Sequence, residues 1–250
     1  MNRFFLEPES WEQTPVCLNP RESHHCAKVL RHKVGEQIEI FDGRGKAAAA
    51  RLLQITKNAV ELELDPPRVS PKLPAKITLA QAIPKGKNMD LIIQKSVELG
   101  VACIQPLLSE RTVIHLDAAE GEKKLEKWRD VLLDACKQSG QNWLPELLPI
   151  CSLADYLCRA ESETGYHFMG SLGSDALPFK SQLHSKIEAH LPGESVFQAT
   201  MLVGPEGDFS PNERQTATQA GFIPVSFGPI VLRSETAAIF CLSALAYELH

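Results

Sequence analysis

In the first 65 positions the pattern of apolar residues is mostly that of half-buried strands, and polar and apolar residues alternate over 37–41. Asp42-Gly43 adds a turn signal of the kind that closes hairpins. The pattern predicts three strands, at residues 37–41, 48–55 and 59–64. The segment 22–31 is the one helical candidate before residue 65. Several short strands in about 70 residues predict a small barrel.

After residue 75 the apolar pattern changes, and strand-like runs alternate with helix-like segments. Ser210, Pro211 and Glu213 combine a capping box with proline at the first helical position, and Asn88 can cap an earlier helix. The pattern predicts strands at 76–83, 101–108, 200–203 and 224–227, and helices at 88–99, 120–139, 211–221 and 235–249. This alternation predicts a mainly parallel α/β sheet.

Between these two parts, residues 65–74 hold four prolines and no periodic apolar face. Proline fixes φ and removes a hydrogen-bond donor, so the segment is expected to be a stiff, extended linker. The predicted domains are therefore residues 1–70, a small β-barrel, and residues 71–250, an α/β domain.

The composition, with 44% hydrophobic and 23% charged residues, is typical of a soluble globular protein. No apolar run is long enough to span a bilayer, and the N-terminus has no signal-peptide core, so we expect no membrane partner. The seven cysteines are scattered without a C-x-x-C pair, which indicates neither a metal site nor a disulfide framework. A cytoplasmic location fits best.

The net charge of -5 does not by itself indicate a nucleic-acid-binding protein, but the charge is unevenly distributed along the chain. Residues 1–72 hold 11 Lys and Arg against 10 Asp and Glu, whereas residues 73–250 hold 15 against 21. Four cations lie close together with three histidines among them: Arg21, Lys28, Arg31 and Lys33, with His24, His25 and His32. Glu22 is the only acid in that stretch. The cluster is either a phosphate-binding patch or a solvated helix face.

Two loops near the C-terminus carry the most informative pattern: the first loop, residues 201–209, and the second loop, residues 227–237. Each follows a short apolar run, at the sheet edge where α/β proteins bind ligands. Gly204 and Gly207 allow close backbone approach and unusual φ, while Pro205 and Pro229 stiffen the loops. Neither loop matches the dinucleotide fingerprint or the P-loop. The loops therefore predict a cofactor held mainly by backbone groups.

Side chains of the two loops suggest further roles. Leu202, Ile230 and Leu232 could sandwich a flat heterocycle. Arg233 stands directly before a helix N-terminus, where the helix dipole disfavours a cation. It should therefore have a partner, which is Glu206, Glu235 or a phosphate. Glu235 is equally explained as a carboxylate favoured in the first turn of a helix.

These loops, with Gly204-Pro205-Glu206-Gly207 in the first and Gly228-x-x-x-Leu232-Arg233-x-Glu235-Thr236-Ala237 in the second, resemble those of the RsmE family of rRNA methyltransferases, of the SPOUT class. The resemblance extends along nearly the whole chain. Further matching segments are Arg3-Phe4-Phe5, His24-His25-x-x-x-Val29-Leu30-Arg31, Phe41-Asp42-Gly43, Pro84-Lys85-Gly86 and Glu98-Leu99-Gly100-Val101.

The resemblance implies a PUA-like RNA-binding β-barrel followed by a SPOUT-type knotted parallel-sheet methyltransferase domain that binds S-adenosyl-L-methionine (AdoMet). It also implies a homodimer without a metal, whose substrate is 16S rRNA of the small ribosomal subunit. The implied reaction is methylation of N3 of a uridine, at position 1498 of the usual rRNA numbering.

On this interpretation three groups of residues carry function. The cofactor group is Leu202, Gly204, Pro205, Glu206, Gly207, Phe227, Gly228, Ile230, Leu232 and Thr236. The catalytic group is Arg233, as a stabilising cation or phosphate clamp, and Glu235 or Glu206 as the base. The RNA-binding group is Arg21, His25, Lys28, Arg31, Lys85 and Arg111.

The chain departs from the family at three positions. Asp208 stands where the family has glycine, and Lys137 and Gln141 replace an acid and an arginine. Two alternatives therefore stay open: a SPOUT enzyme that methylates a ribose 2′-oxygen, and a non-catalytic rRNA-binding assembly factor. A small-molecule hydrolase ranks last, because no G-x-S-x-G motif is present.

Overall fold

The computed structural model describes residues 1–56, 59–113, 116–160, 164–190 and 196–250, which form two compact units. The N-terminal unit consists of Met1–Lys72 together with Leu133–Leu144. The C-terminal unit consists of Leu73–Leu132 and Pro145–His250. The chain thus changes unit after the proline-rich segment, and a second segment from the middle of the sequence returns to the N-terminal unit.

A six-stranded sheet forms the N-terminal unit. Its strands are β1 (Arg3–Phe5), β2 (Val16–Cys17), β3 (Gln37–Phe41), β4 (Lys46–Ile55), β5 (Val60–Leu64) and β6 (Arg68–Val69). The order is β1-β3-β4-β5-β2 with β6 beside β4, and every pair except β1 and β3 is antiparallel. Side chains such as Phe4, Ile40 and Leu52 fill its core. The three predicted strands are confirmed, whereas the alternation gave no signal for β1, β2 or β6.

The helix predicted over 22–31 is wrong in its extent. Helix α1 (Pro20–His24) begins earlier, because the Asn19 side chain accepts a hydrogen bond from the Glu22 N–H and proline follows at the first helical position. The chain then widens into a π-helical turn, His25–Val29. Arg31, with φ 57°, ends the turn.

Polar contacts attach residues 133–144 to the N-terminal unit. Lys137 forms an ion pair with Glu22, whose side chain is only 1% exposed. The Arg3 guanidinium donates to the carbonyl of Cys136 at 2.8 Å. Asn142 donates to the Ser70 hydroxyl. Glu22 is therefore a buried partner of Lys137 and does not weaken the surface charge of the neighbouring cations.

Eight parallel strands form the sheet of the C-terminal unit, which confirms the predicted parallel α/β sheet. They are β7 (Ala75–Ala82), β8 (Cys103–Leu108), β9 (Glu146–Leu147), β10 (Cys151–Ser152), β11 (Tyr166–Gly170), β12 (Leu177–Pro178), β13 (Phe197–Val203) and β14 (Ile223–Ser226). The order is β10-β8-β7-β13-β11-β14-β12, with β9 beside β8.

Six further α-helices are present among the described residues: α2 (Asn88–Glu98), α3 (Ala118–Ser139), α4 (Leu153–Ala160), α5 (Phe179–Ala189), α6 (Pro211–Gln219) and α7 (Ser234–Leu249). A short 3-10 helix, Pro8–Ser10, follows β1 in the N-terminal unit. The capping box of α6 is confirmed, whereas Asn88 does not cap α2, which begins after Lys87 without a side-chain cap. Helices α4 and α5 and strand β11 were not predicted. None of the described helices is both long and apolar enough to cross a membrane.

Candidate functional site

Three loops meet at one cavity of about 510 Å³ in the C-terminal unit. The first loop begins in the last residues of β13 and the second follows β14, and β11 lies between these two strands. Because the strands are parallel, the residues after β11, 171–176, reach the same edge as the two predicted loops. The two loops singled out by sequence therefore share a site with a third loop that the sequence did not reveal.

Most of the predicted cofactor residues line this cavity. They are Gly204, Pro205, Glu206, Phe227, Gly228, Ile230 and Leu232, and Arg233 joins them. The last residue of β11 and the third loop contribute five residues that were not predicted: Gly170, Ser171, Leu172, Gly173 and Ala176. The pair of glycines three residues apart at the end of an apolar run was the available signal for this loop.

Three residues assigned to the cofactor lie outside the lining. Leu202 is fully buried and packs in the core with Met169 and Phe209, because alternate residues of β13 point to opposite faces of the sheet. Gly207 and Thr236 are exposed but do not line the cavity either.

The unusual backbone that was expected at Gly204 and Gly207 occurs instead at Asp208, with φ 58°, and at Gly228, with φ 122°. A left-handed residue is most often glycine, and aspartate is among the few others that tolerate it. The Asp208 carboxylate accepts from the Phe209 N–H at 2.8 Å and pairs with Arg214 at 3.2 Å. These contacts give a physical account of why aspartate is accommodated at a position where the family has glycine.

A buried chain of hydrogen bonds joins the first and second loops. Gln81 Nε2 donates to Ser234 Oγ at 3.0 Å, and Ser234 Oγ donates to the carbonyl of Gly204 at 2.7 Å. Both side chains are buried. This pair was not predicted, although a glutamine inside an otherwise apolar strand needs buried partners and was therefore a signal.

Two further contacts bring the first loop to the ends of β7 and β8. Glu206 Oε1 accepts from the backbone N–H of Lys85 at 2.9 Å, and Arg111 donates to the carbonyl of Gly207. Lys85 and Arg111, predicted to bind RNA, therefore lie beside the cavity loops, with exposed side chains. Glu206 supports the turn that contains Lys85.

Arg233 and Glu235 stand at the start of α7. Arg233 is the residue before the helix, exposed, and forms no ion pair with Glu206, Glu235 or any other residue in the described part of the chain. The expected intramolecular partner is thus not found, which leaves an external anion. Glu235 Oε2 is buried and has no hydrogen-bond partner among the described residues, an expensive arrangement for a carboxylate.

The other predicted RNA-binding residues belong to the N-terminal unit. Arg21, Lys28 and Arg31 are exposed, whereas His25 is half-buried and its ring lies 6.0 Å from that of Phe4. Across the ranges that the structure describes, no three His, Cys, Asp or Glu side chains gather as metal ligands.

Comparison with known families matches both parts of the chain. Residues 71–246 match the model of an RNA methyltransferase domain, and residues 18–65 match that of an RNA methyltransferase PUA domain. The chain is 30% identical to the ribosomal RNA small subunit methyltransferase E of Bacillus subtilis, over 99% of this chain and 97% of that protein.

Solved structures agree with this match. The ribosomal RNA small subunit methyltransferase E of Neisseria gonorrhoeae, bound to S-adenosyl methionine, has a TM-score of 0.82 and 33% identity, covering 99% of this chain and 98% of that one. A Legionella pneumophila protein in complex with the cofactor SAM has a TM-score of 0.87 and 32% identity, with the same coverage.

Proposed function

We infer that this chain, which belongs to the family of RNA methyltransferases that includes the ribosomal RNA small subunit methyltransferases E, methylates 16S rRNA with AdoMet as the methyl donor. The observation that best supports this function is the cavity formed by three loops at the carboxyl ends of β11, β13 and β14. We propose that the acceptor is N3 of a uridine, at position 1498 of the usual rRNA numbering.

The cavity fits a ligand of this kind. Its volume of about 510 Å³ lies within the usual range for small-molecule sites. Gly204, Pro205 and Gly228 present backbone groups that can bind a heterocycle and a ribose, and Phe227 and Ile230 supply apolar walls. Bound there, AdoMet supplies an activated sulfonium methyl group, so the protein has to position the acceptor and manage its proton.

Glu235 is the favoured base in this mechanism. Uridine N3 carries a proton in its resting form, so the proton must leave before N3 can act as a nucleophile. Glu235 has a buried oxygen without a hydrogen-bond partner among the described residues, whereas Glu206 already accepts from the Lys85 N–H. Arg233, exposed and unpaired in the described chain, is positioned to stabilise the anion that forms on O2 and O4.

We propose that the basic patch of the N-terminal unit binds rRNA phosphates. Arg21, Lys28 and Arg31 are exposed there, and Lys85 and Arg111 offer cations beside the cavity loops of the C-terminal unit. The PUA match supports an RNA-binding domain over residues 1–70, followed by a methyltransferase domain over 71–250. The SPOUT knot and a cytoplasmic location, implied by the family, remain predictions.

An apolar face on helix α7 supports the proposed homodimer. Phe240 is 45% exposed and Tyr247 is 86% exposed, and they lie about two turns apart on the same helix. The Phe240 ring packs 5.7 Å from that of Phe227, which lines the cavity. Apolar rings exposed in this way mark interaction surfaces. A partner seated on this face would therefore support the wall of the cavity.

We predict that Phe240→Glu combined with Tyr247→Glu converts the dimer to a monomer. Two buried charges should weaken association at least about 100-fold, and sedimentation velocity measures the result. Val196→Glu is the matched control, because Val196 is also exposed. It precedes the first residue of β13, whereas the cavity lies at the last residue of that strand. A double variant that remains dimeric would place the interface elsewhere.

Nucleoside mass spectrometry on small-subunit particles that lack the modification tests the function. We expect incubation with the protein and AdoMet to produce N3-methyluridine. A methyl group on ribose would instead identify a 2′-O-methyltransferase. Absence of any methyl, together with absence of AdoMet binding in a titration, would identify a non-catalytic assembly factor. Parallel incubation with an active small-subunit methyltransferase E controls for the quality of the particles.

A further inference from the structure

One exposed segment of the N-terminal unit mixes apolar and cationic side chains. We call its apolar residues, Val29, Leu30 and Val34, the apolar tip; their exposed fractions are 58%, 39% and 59%. The cations Lys28, Arg31 and Lys33 are interleaved with them and are also exposed. Among the described residues, the side chains of these three cations form no hydrogen bond and no ion pair. Lys33 contacts Glu36 through backbone hydrogen bonds and a longer-range charge interaction. Cations and aliphatic side chains are therefore exposed side by side on this segment.

The backbone of this segment is held in an uncommon shape. The Leu30 N–H donates to the His25 carbonyl at 2.9 Å and the His32 N–H donates to the Cys26 carbonyl at 3.1 Å, so the turn is wider than an α-helix. Cys26 is fully buried in the core, and Arg31 has a positive φ of 57°. π-Helical turns and left-handed residues other than glycine are concentrated at functional sites. The core thus fixes the shape of the segment before any partner binds.

The acids near the segment are already paired. Glu22 is buried against Lys137, and His32 Nδ1 lies 2.5 Å from Glu36 Oε2, an interaction that lowers the pKa of the Glu36 carboxyl. The surface around the apolar tip is therefore positive. Charge complementarity points to a polyanion, and the aliphatic side chains require an apolar surface on that same polyanion. Single-stranded RNA offers both, because its phosphates alternate with exposed base faces.

We propose that the apolar tip packs against unpaired bases of the rRNA while Lys28, Arg31 and Lys33 hold phosphates on either side. This inference rests on the proposed function, since it takes the rRNA as the substrate. Proteins are known to bind and distort nucleic acids by placing apolar side chains against or between bases. The tip would thus read the presence of unstacked bases, which phosphate contacts alone cannot do.

Cross-linking from the tip identifies the partner. A photoreactive benzoylphenylalanine in place of Leu30, in the full chain, is activated on small-subunit particles that lack the methyl group. We expect cross-links to rRNA. Cross-links to a ribosomal protein alone, or none at all, would overturn the proposal. Methylation of the same particles by the unaltered protein is measured in parallel, so a failure of the tip is distinguished from a failure of the proposed activity.

Affinity measured at several salt concentrations separates the two kinds of contact. Val29→Ser combined with Leu30→Ser should weaken binding to the particles at least about tenfold without changing the slope of log K against log salt concentration. Lys28→Ala should instead reduce the slope by about one, because one phosphate contact is lost. The serine substitutions lie on exposed positions, so we expect the melting temperature to be unchanged.

Val69→Ser is the matched control for the serine pair. Val69 is 72% exposed in the same unit, but it pairs with Lys46 at the beginning of β4, whereas the Gly35 N–H beside the tip bonds to Leu52 towards the other end of that strand. If the serine pair weakens binding no more than Val69→Ser, the apolar tip has no role in binding rRNA.

Discussion

Arg233→Ala is expected to slow methyl transfer by about 100- to 1,000-fold, which is the effect of removing one preorganised group that stabilises developing charge. Arg233 stands before the N-terminus of α7, where its charge opposes the helix dipole and has no ion-pair partner in the described chain. Its removal should therefore leave the melting temperature unchanged or raise it slightly. Loss of activity without loss of stability would mark a residue retained for the reaction.

Single-turnover rates with saturating AdoMet, together with thermal unfolding, measure this result. Arg129→Ala is the control, because Arg129 is a surface arginine of the same unit whose ion pair with Glu122 is exposed. Glu235→Gln, measured alongside, should also be slow. If the acceptor is the proposed uridine, its rate should rise with pH, because N3 then loses its proton to solvent without a carboxylate base. If Arg233→Ala retains the full rate, Arg233 neither stabilises the anion nor clamps a phosphate.

Lys137→Met should destabilise the N-terminal unit by about 3–5 kcal/mol, because it leaves the Glu22 carboxylate buried without its cation. The two side chains are only 10% and 1% exposed, so water cannot replace the lost contact. Lys137→Glu, which restores the acid that the family has at this position, should be worse still because two carboxylates would then face each other. Urea denaturation followed by circular dichroism measures the free energy of unfolding.

A second substitution separates the loss of the ion pair from loss of packing. Glu22→Gln combined with Lys137→Met should recover most of the stability, since a glutamine oxygen can still accept from the Phe5 N–H. Lys123→Met on the same helix is the control, and we expect it to change stability by less than about 0.5 kcal/mol because Lys123 is exposed. If Lys137→Met is no more destabilising than Lys123→Met, the pair contributes nothing to the fold.

The strands and helices of the C-terminal unit that flank the site were predictable because their apolar runs are long and end at glycine or proline. The first and second loops were found for the same reason. The loop after β11 was missed because β11 itself was not predicted, so nothing placed residues 171–176 at the end of a strand. The bond from Gln81 to Ser234 was missed because it joins residues 153 positions apart, a distance over which local pattern carries no information.

The structure accounts for two of the three departures from the family pattern, Asp208 and Lys137. In neither case could the accommodating conformation or contact be inferred from the sequence alone. A positive φ at Asp208 cannot be inferred from composition, and neither can the partner of Lys137, which lies 115 residues away. In both cases the unusual residue was visible, but the contact that accommodates it was not. Arg31 is a further case, since the predicted helix extended to this residue and nothing in the sequence revealed its positive φ.

The return of residues 133–144 to the N-terminal unit has a consequence for how this chain can be divided and recombined. A fragment that ends in the proline-rich segment would carry Glu22 without Lys137, and Arg3 without the carbonyl of Cys136. Grafting the N-terminal unit onto a related enzyme would therefore require residues 133–144 to be transplanted with residues 1–72. For the same reason, positions 22 and 137 should coevolve across relatives as if they were neighbours in sequence.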